Sequence, residues 1–476
     1  MKDMWILFGA GGNGISISKQ FKDRVAFFCD NDENKVGTVL EGKKVISFSK
    51  MTELHQKGYK ILVTPNYVSS MTRQLKNAGI HDFVVYSGKN EMGNVIEDEK
   101  RMLMLQEPQT QFTDSFIEKV KDLDLLQDIS IFKENAKTFL TNYRERFGNS
   151  YIPFRYGESG ASGTLQAIMS YAGLDLSEVA YFPTISHLAS HWWHFSTGDV
   201  RKGVIVSGER YKKFIHKYYA YVPVFTAGSY IQYATHYYDT EMMEQMKKKH
   251  GRILTIFMPH STEGYETLYQ EKEYLSRVLT KHGKDFDSIW ACLYWTDIFS
   301  PVCDYLQSEG VHVVSAGYRG DTNFIRRLKT IFHLSDGVVI GECGAPFGYA
   351  FVSNKPVAYF DTNATHTKER VAKGYQQWLT GDDLIVTEGY RNLFNEELQM
   401  TAEQRVFINE VAGCDVFRSK EYFRNVLEIS KDIWKMCGYE QSRYPIGVYS
   451  AYEFYRKTGD IEKALILREA VGDNFI

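Results

Sequence analysis

From residue 252 onward the chain passes through "RILTIFMPHS", "DFDSIWACLYW", "GVHVVSAGY", "DGVVIGE" and "KPVAYFD", with helical patterns such as "GYETLYQEKEYLSRVLTKHG" and "TNFIRRLKTIFHL" between them. Short, uninterrupted apolar runs of this kind are strands covered on both faces. Helices between successive strands are the crossovers that parallel pairing requires. This half of the chain is therefore restricted to a parallel α/β unit with its functional loops at the strand ends. The same alternation opens the chain in "MWILFGA", "RVAFFCD", a hairpin-like "KVGTVLEGKKVIS", "KILVTP" and "DFVVYS". That pattern predicts a small parallel sheet, about half of a full two-part dinucleotide-binding domain.

Between these units the pattern changes. "TDSFIEKVKDLDLLQDISIFKENAKTFLTNYRERF" has apolar residues at three-four spacing and reads as one or two surface helices. "VAYFPT", "GVIVSG" and "VPVFTAG" are short strands in a further segment, and the chain beyond about residue 390 is helical. The expected divisions are 1–90, a Rossmann-like nucleotide-binding domain; 91–150, a helical connector; 151–247, a first lobe; 248–390, a second lobe; and 391–476, a helical tail. With 476 residues the chain needs more than one core.

A net charge of -3 and the lack of any Lys/Arg-rich block give no reason to expect nucleic acid as a partner. No apolar run reaches the length of a membrane span. The six cysteines are scattered without metal-binding spacing and read as reduced, buried thiols. A cytoplasmic protein is expected, and transient contact with the inner membrane face or homo-oligomer formation would leave no trace in such a sequence.

"GAGGNG" follows the first strand and places Gly9, Gly11 and Gly14 as G-x-G-x-x-G, with Asp30 closing the next strand where a ribose-binding acid would sit. The turn is read as a phosphate or nucleotide site. A nicotinamide enzyme would also need a Tyr-x-x-x-Lys or a His with a nearby acid in a large enough domain, and none is found. An NAD(P)-dependent sugar oxidoreductase is thus kept as an alternative only. "DND", Asp30 to Asp32, matches a metal-binding D-x-D less well, because Asp30 already has the ribose reading.

The second half carries a denser constellation. His260 and Ser261 end the strand "ILTIFMP". Arg319, Asp321 and Arg326, with Arg327, follow "VVSAG". A third strand ends at Glu342, and the turn Gly344, Ala345, Pro346, Phe347, Gly348 opens a helix. Arginine forks and free helix N-terminal amides both suit phosphate. Three parallel strand ends facing one crevice predict a nucleotide-phosphate site.

The stretches "GVIVSGERYKKFI", "ILTIFMPHS", "SAGYRGDTNFIRRLK" and "ECGAPFGYAFVSNKPVAYF" resemble glycosyltransferases of the two-Rossmann-domain (GT-B) type used in bacterial capsule and lipopolysaccharide assembly. The first 88 residues resemble the small nucleotide- or sugar-nucleotide-binding domain that precedes bacterial sugar acetyltransferases. The resemblance implies an α/β fold: a small N-terminal Rossmann-like domain, then a two-lobed Rossmann-like (GT-B) unit with a helical C-terminal tail. It implies a nucleotide-activated sugar as donor substrate, held in 248–390, and a glycan or lipid-linked acceptor in 151–247, with no cofactor required. His260 of "PHS" matches the Pro-His pair that cytidine-nucleotide relatives place near the donor phosphate. The D/E-D/E-Gly motif of sialyltransferases is absent. An inverting transfer needs a base for the acceptor hydroxyl. His187 or His191 of "SHLASHWWHF" is read in that role, with Asp199 and Glu209 as carboxylate alternatives. With His194 these histidines could share one helical face, but no acid stands at metal spacing, and no metal is assigned. A CDP-polyol phosphotransferase of the same fold is the other alternative.

Overall fold

The computed structural model describes residues 4–20, 25–64, 71, 74, 75, 77–80, 83–85, 95–148, 152, 155–186, 203–218, 222–262, 266–366, 381–437 and 444–472. Among these residues the chain divides into two compact units. One holds the chain up to Leu105 together with Ile433–Ser450; the other holds Gln106 to Asp432 and the chain from Ala451 on. The architecture is α/β: a small N-terminal Rossmann-like sheet, then two further parallel sheets in the second unit, with a helical C-terminal tail that divides between the two units.

The N-terminal sheet contains β1 (Trp5–Phe8), β2 (Val25–Cys29), β3 (Val39–Leu40), β4 (Lys43–Ile46), β5 (Lys60–Val63) and β6 (Phe83–Val85), in the order β3-β4-β2-β1-β5-β6. All neighbours are parallel except the edge pair β3 and β4. Ile6, Phe8, Ile61 and Val63 are buried on one face, and Leu7, Val25, Phe28 and Leu62 on the other. Continuous apolar strands are what such two-sided burial demands. Among the described residues, five parallel strands in this order make the domain larger than the expected half. Gly9 has φ +117°, and a Cβ there would lie 2.1 Å from Thr64 Oγ1; one on Gly14 would lie 2.1 Å from the Gly9 carbonyl. Gly11 faces open space. Gly9→Ala should therefore destabilise this unit by more than about 1 kcal/mol, while Gly11→Ala stays within about 0.5 kcal/mol. Thermal denaturation of the two variants compares them directly.

In the second unit β7 (Thr184–Ile185), β8 (Val204–Val206) and β9 (Val224–Thr226) form a three-stranded parallel sheet. A larger sheet follows, built from β10 (Ile253–Phe257), β12 (Ser288–Leu293), β13 (His312–Ser315), β14 (Gly337–Ile340) and β15 (Val357–Tyr359). A short antiparallel ladder pairs β11 (Thr267–Leu268) with β16 (Thr365–His366). The five strands are all parallel, in the order β13-β12-β10-β14-β15.

The helix Ser130–Phe147 is an amphipathic surface helix, as its spacing predicts, with one face buried. Phe132, Ala136, Phe139, Leu140 and Tyr143 are buried and pack in one core with Leu254, Ile256 and Leu293 of the five-stranded sheet and with Trp295. Phe139 stacks on Phe116 at 4.2 Å with rings 8° from parallel. The polar residues lie on the opposite face, so the helix covers one side of that sheet. Phe139→Ala should cost about 3–5 kcal/mol, against nearly nothing for a surface position. Urea denaturation measures the difference.

The helix Ala402–Ala412 and the residues after it touch both sheets' surroundings. A Cβ on Gly228, just past β9, would lie 2.1 Å from the Val416 carbonyl, and one on Gly348 would lie 2.6 Å from the Ala412 Cβ. The helix Ala402–Ala412 is thus built into the second unit, whereas the tail residues Ile433–Ser450 group with the first.

Candidate functional site

β10 lies between β12 and β14, with later strands added outward on both sides. The chain therefore leaves β10 in opposite directions in the two halves of the sheet, and the loops part just beyond its C-terminal end. That switch point is where open parallel sheets form a ligand crevice. The residues that β10 delivers there are Pro259, His260 and Ser261.

Hydrogen bonds clamp this turn from several sides. The Ser261 N–H donates to Asp297 Oδ2 at 3.0 Å, and the His260 N–H donates to the Glu342 carboxylate. Thr267 Oγ1 donates to the His260 carbonyl at 2.6 Å, and the Thr267 N–H donates to Ser261 Oγ at 3.1 Å. Thr296 Oγ1 donates to the Ser261 carbonyl at 3.1 Å. The His260 ring is exposed, lies 4.7 Å from the Tyr294 ring, and donates from Nδ1 to the Ser261 carbonyl at 3.1 Å. Because a carbonyl only accepts, Nδ1 must carry a hydrogen. A neutral ring then holds its lone pair on Nε2, and only an imidazolium can donate from Nε2.

Asp297 and Glu342 stand at the ends of the two strands that flank β10. Burial pushes the Asp297 carboxyl up to about 6, against hydrogen bonds from the Ser261 side chain and backbone. Burial also lifts Glu342 to about 7; the His260 N–H works against the shift, and the nearby Asp297 charge adds to it. Beside them the Cys343 thiol is raised to about 11 by burial and meets the Tyr359 hydroxyl. It is poorly suited to act as a thiolate nucleophile. The helix Ala345–Val352 starts from Gly344, which has no side-chain cap. Within it the buried Tyr349 phenol is raised to about 12, an effect partly offset by the neighbouring Arg319 charge.

The structure brings His260, Ser261, Glu342, Gly344 and Ala345 to the ends of β10 and β14, whereas Gly348, expected to let an anion approach, is buried inside the helix against Ala412. Arg319 follows β13, and its charge acts on Tyr349 of the same helix. Asp321 and Arg326 have other partners. Asp321 is buried in an ion pair with Arg327 at 2.7 Å. Arg327 also donates to the carbonyls of Ala316 and Lys121. Arg326 donates to Thr235 Oγ1, Asn323 Oδ1 and the His236 carbonyl. These three side chains hold loops together, which corrects their expected place at a phosphate. Glu209 follows β8 and accepts a hydrogen bond from Thr226 Oγ1 at 2.6 Å. His187, His191, His194 and Asp199 lie outside the described residues. In the N-terminal unit Asp30 accepts from the Asp32 N–H of its own turn and from the Ala10 N–H of the glycine turn, and pairs with Lys35 at 3.2 Å, so its carboxylate ties the two turns together. Among the described residues no three His, Cys, Asp or Glu side chains gather to hold a metal ion, and no helix is long and apolar enough to cross a membrane.

Two parts of the site were missed in the sequence. Asp297 sits in "YWTDIF", where a lone acid reads as a surface turn. The segment "GESGASG" precedes the helix Thr164–Ala172 and packs on the β13 loop, the Ser162 N–H donating to the Arg319 carbonyl at 2.5 Å. Its glycine spacing before a helix was the available signal. Thr164 Oγ1 and Gln166 Oε1 in the first turn of that helix are buried without a hydrogen-bond partner.

The raised Glu342 has a consequence for stability. A carboxyl with a higher value in the fold than in the unfolded chain favours the folded state while protonated, and loses that advantage as pH rises. The window runs from its ordinary value of 4.5 to about 7. Glu342→Gln, which cannot ionise, should flatten the fall in stability across this window, gaining up to about 3 kcal/mol relative to the native chain at its upper end. Melting temperatures of the two proteins from pH 4 to 8 provide the measurement.

No family model and no curated protein matches the chain. Solved structures give distant likenesses. UDP-GlcNAc 2-epimerase from Neisseria meningitidis, bound to UDP-GlcNAc, is 11% identical over 90% of this chain and 98% of that one, with a TM-score of 0.27. Arabidopsis thaliana UGT89C1 complexed with UDP-L-rhamnose is 8% identical over 94% and 99%, with a TM-score of 0.27. The wall teichoic acid polymerase TagF is 8% identical over 90% and 88%, with a TM-score of 0.26. The ligands and activities in those descriptions are those of the proteins named.

Proposed function

We propose that the chain is a glycosyltransferase of the two-lobed GT-B type, moving a sugar from a nucleotide-activated donor to a glycan or lipid-linked acceptor in bacterial surface polysaccharide assembly. The observation that carries this reading is the clamped His260–Ser261 turn at the switch point of the five-stranded sheet, with the helix start at Gly344 on the neighbouring strand end. A nucleotide diphosphate leaving the sugar gains charge as the bond breaks. His260, with Nδ1–H committed to the Ser261 carbonyl, meets that charge as an imidazolium donating from Nε2. Arg319 and the amides at the start of Ala345–Val352 share the same charge. Such fixed groups leave no step that requires a metal.

The proton of the acceptor hydroxyl goes to a base of the first lobe. His187, His191 and Asp199 are proposed for it from the sequence, and Glu209 from the sequence and its place at the end of β8. The N-terminal unit binds a nucleotide or sugar nucleotide at the open side of Gly11, or no ligand at all, and performs no hydride transfer. The protein works in the cytoplasm, at or near the inner membrane face.

Thermal shift with CMP, CDP, UDP, GDP and NAD identifies the donor base, because a ligand that binds only the folded chain raises its melting temperature. His260→Ala should then lower nucleotide release about 100- to 1,000-fold with little change in melting temperature. A variant that melts early yet turns over normally would make His260 structural. A phosphodiester product in place of a glycoside would assign the CDP-polyol phosphotransferase, and steady nicotinamide reduction or oxidation would assign the oxidoreductase.

A further inference from the structure

We propose that the glycine loop 157–163 and the first turn of the helix Thr164–Ala172 form a separate phosphate site, which takes a phosphate group carried by the acceptor. The site stands on the geometry of these residues; only its assignment to the acceptor rests on the glycosyltransferase reading.

The helix has nine residues and starts from Gly163, which has φ +72° and no side chain to cap it. Its first turn carries the positive end of the helix dipole. Thr164, the first helical residue, is fully buried, and its Oγ1 has no hydrogen-bond partner. Its N–H is already spent on the carbonyls of Ala161 and Ser159. The Cα–Cβ bond of a helical residue leans towards the N-terminus, and no earlier turn stands in front of Thr164, so its hydroxyl is aimed at the helix start. A buried hydroxyl left unmet costs stability, and valine would fill the same volume without that cost. The hydroxyl therefore does nothing for the empty fold, and it stands where an anion is favoured. Gln166 holds the third helical position, from which a side chain can fold back over the helix start. Its Oε1 is buried and unmet as well, and it can accept a hydroxyl hydrogen of the molecule that bears the phosphate.

Groups from both parallel sheets of the second unit hold the loop in place. Ser159 Oγ accepts from the Ile185 N–H, at the end of β7, at 3.0 Å. The Ser162 N–H donates to the Arg319 carbonyl, past the end of β13, at 2.5 Å. A Cβ on Gly163 would lie 2.5 Å from the Thr322 carbonyl oxygen, so the backbone there has no room to move aside. The phosphates of the donor have the His260 turn and the helix start at Gly344. A loop tied to β7 belongs with the lobe that receives the acceptor.

Melting curves of the full-length protein test the site without any turnover. The probes are inorganic phosphate and glucose 1-phosphate, against potassium chloride at equal ionic strength. Both should raise the melting temperature of the native chain saturably. Thr164→Val should melt at or above the native temperature without ligand, yet bind either probe about ten-fold or more weakly. Thr164→Ser keeps the hydroxyl and should bind as the native chain does. The proposal is overturned by a native chain that shows no saturable shift, or by native-like binding in Thr164→Val. It is overturned equally if Thr164→Val melts early or fails to fold, since the hydroxyl then serves the fold itself. A nucleotide that raises the melting temperature tests the assignment. If its effect adds to that of glucose 1-phosphate, the two occupy different places, as an acceptor phosphate requires. Competition between them gives the site to the donor and overturns the assignment to the acceptor. If no nucleotide binds or is turned over, the transferase reading fails, and the comparison at Thr164 still decides the site.

Discussion

Parallel pairing forces every strand of a sheet to end on the same side. In the second unit this constraint brings the loops after β10, β12, β13, β14 and β15 to one edge, although they span more than a hundred residues of sequence. With β10 in the middle, its turn has neighbours on both sides. A carboxylate can then reach it from β12 and another from β14. No side chain near His260 could be held this way at the edge of the sheet.

The buried Asp321–Arg327 pair does a related job one strand further out. Arg327 is fully buried, and its guanidinium also takes up the carbonyls of Ala316 and Lys121. A buried pair of this kind is poor evidence for extra stability, since removing both charges from water is costly. It does fix geometry: the β13 loop, the start of the helix Asn323–Leu334 and the loop near Lys121 are tied to one point. Arg319 stands on the loop so held.

The strands were legible in the sequence because two-sided burial leaves continuous apolar runs, and each expected run of the second sheet became a strand. The turn at His260 and the glycine start at Gly344 were legible for the same reason, as the residues that follow those runs. The roles of neighbouring arginines were not. In "RRLK", Arg326 and Arg327 differ by one position, yet a turn of about 100° per residue sends Arg327 into the core and Arg326 across to Thr235. Asp297 escaped notice because its partner, Ser261, lies 36 residues away. The amphipathic pattern of the helix Ser130–Phe147 shows that one face is covered, but not by what. Its cover comes from Phe116, Trp295 and the five-stranded sheet, all outside its own sequence window.

Gly413 and Val416 approach Gly228, and Ala412 approaches Gly348, so closely that a Cβ fits at neither glycine. One of the two follows the three-stranded sheet and the other lies in the helix after β14, yet both answer to the same short stretch of chain. A substitution that enlarges either glycine must also displace that stretch, so the three places are energetically coupled and their changes will not add independently.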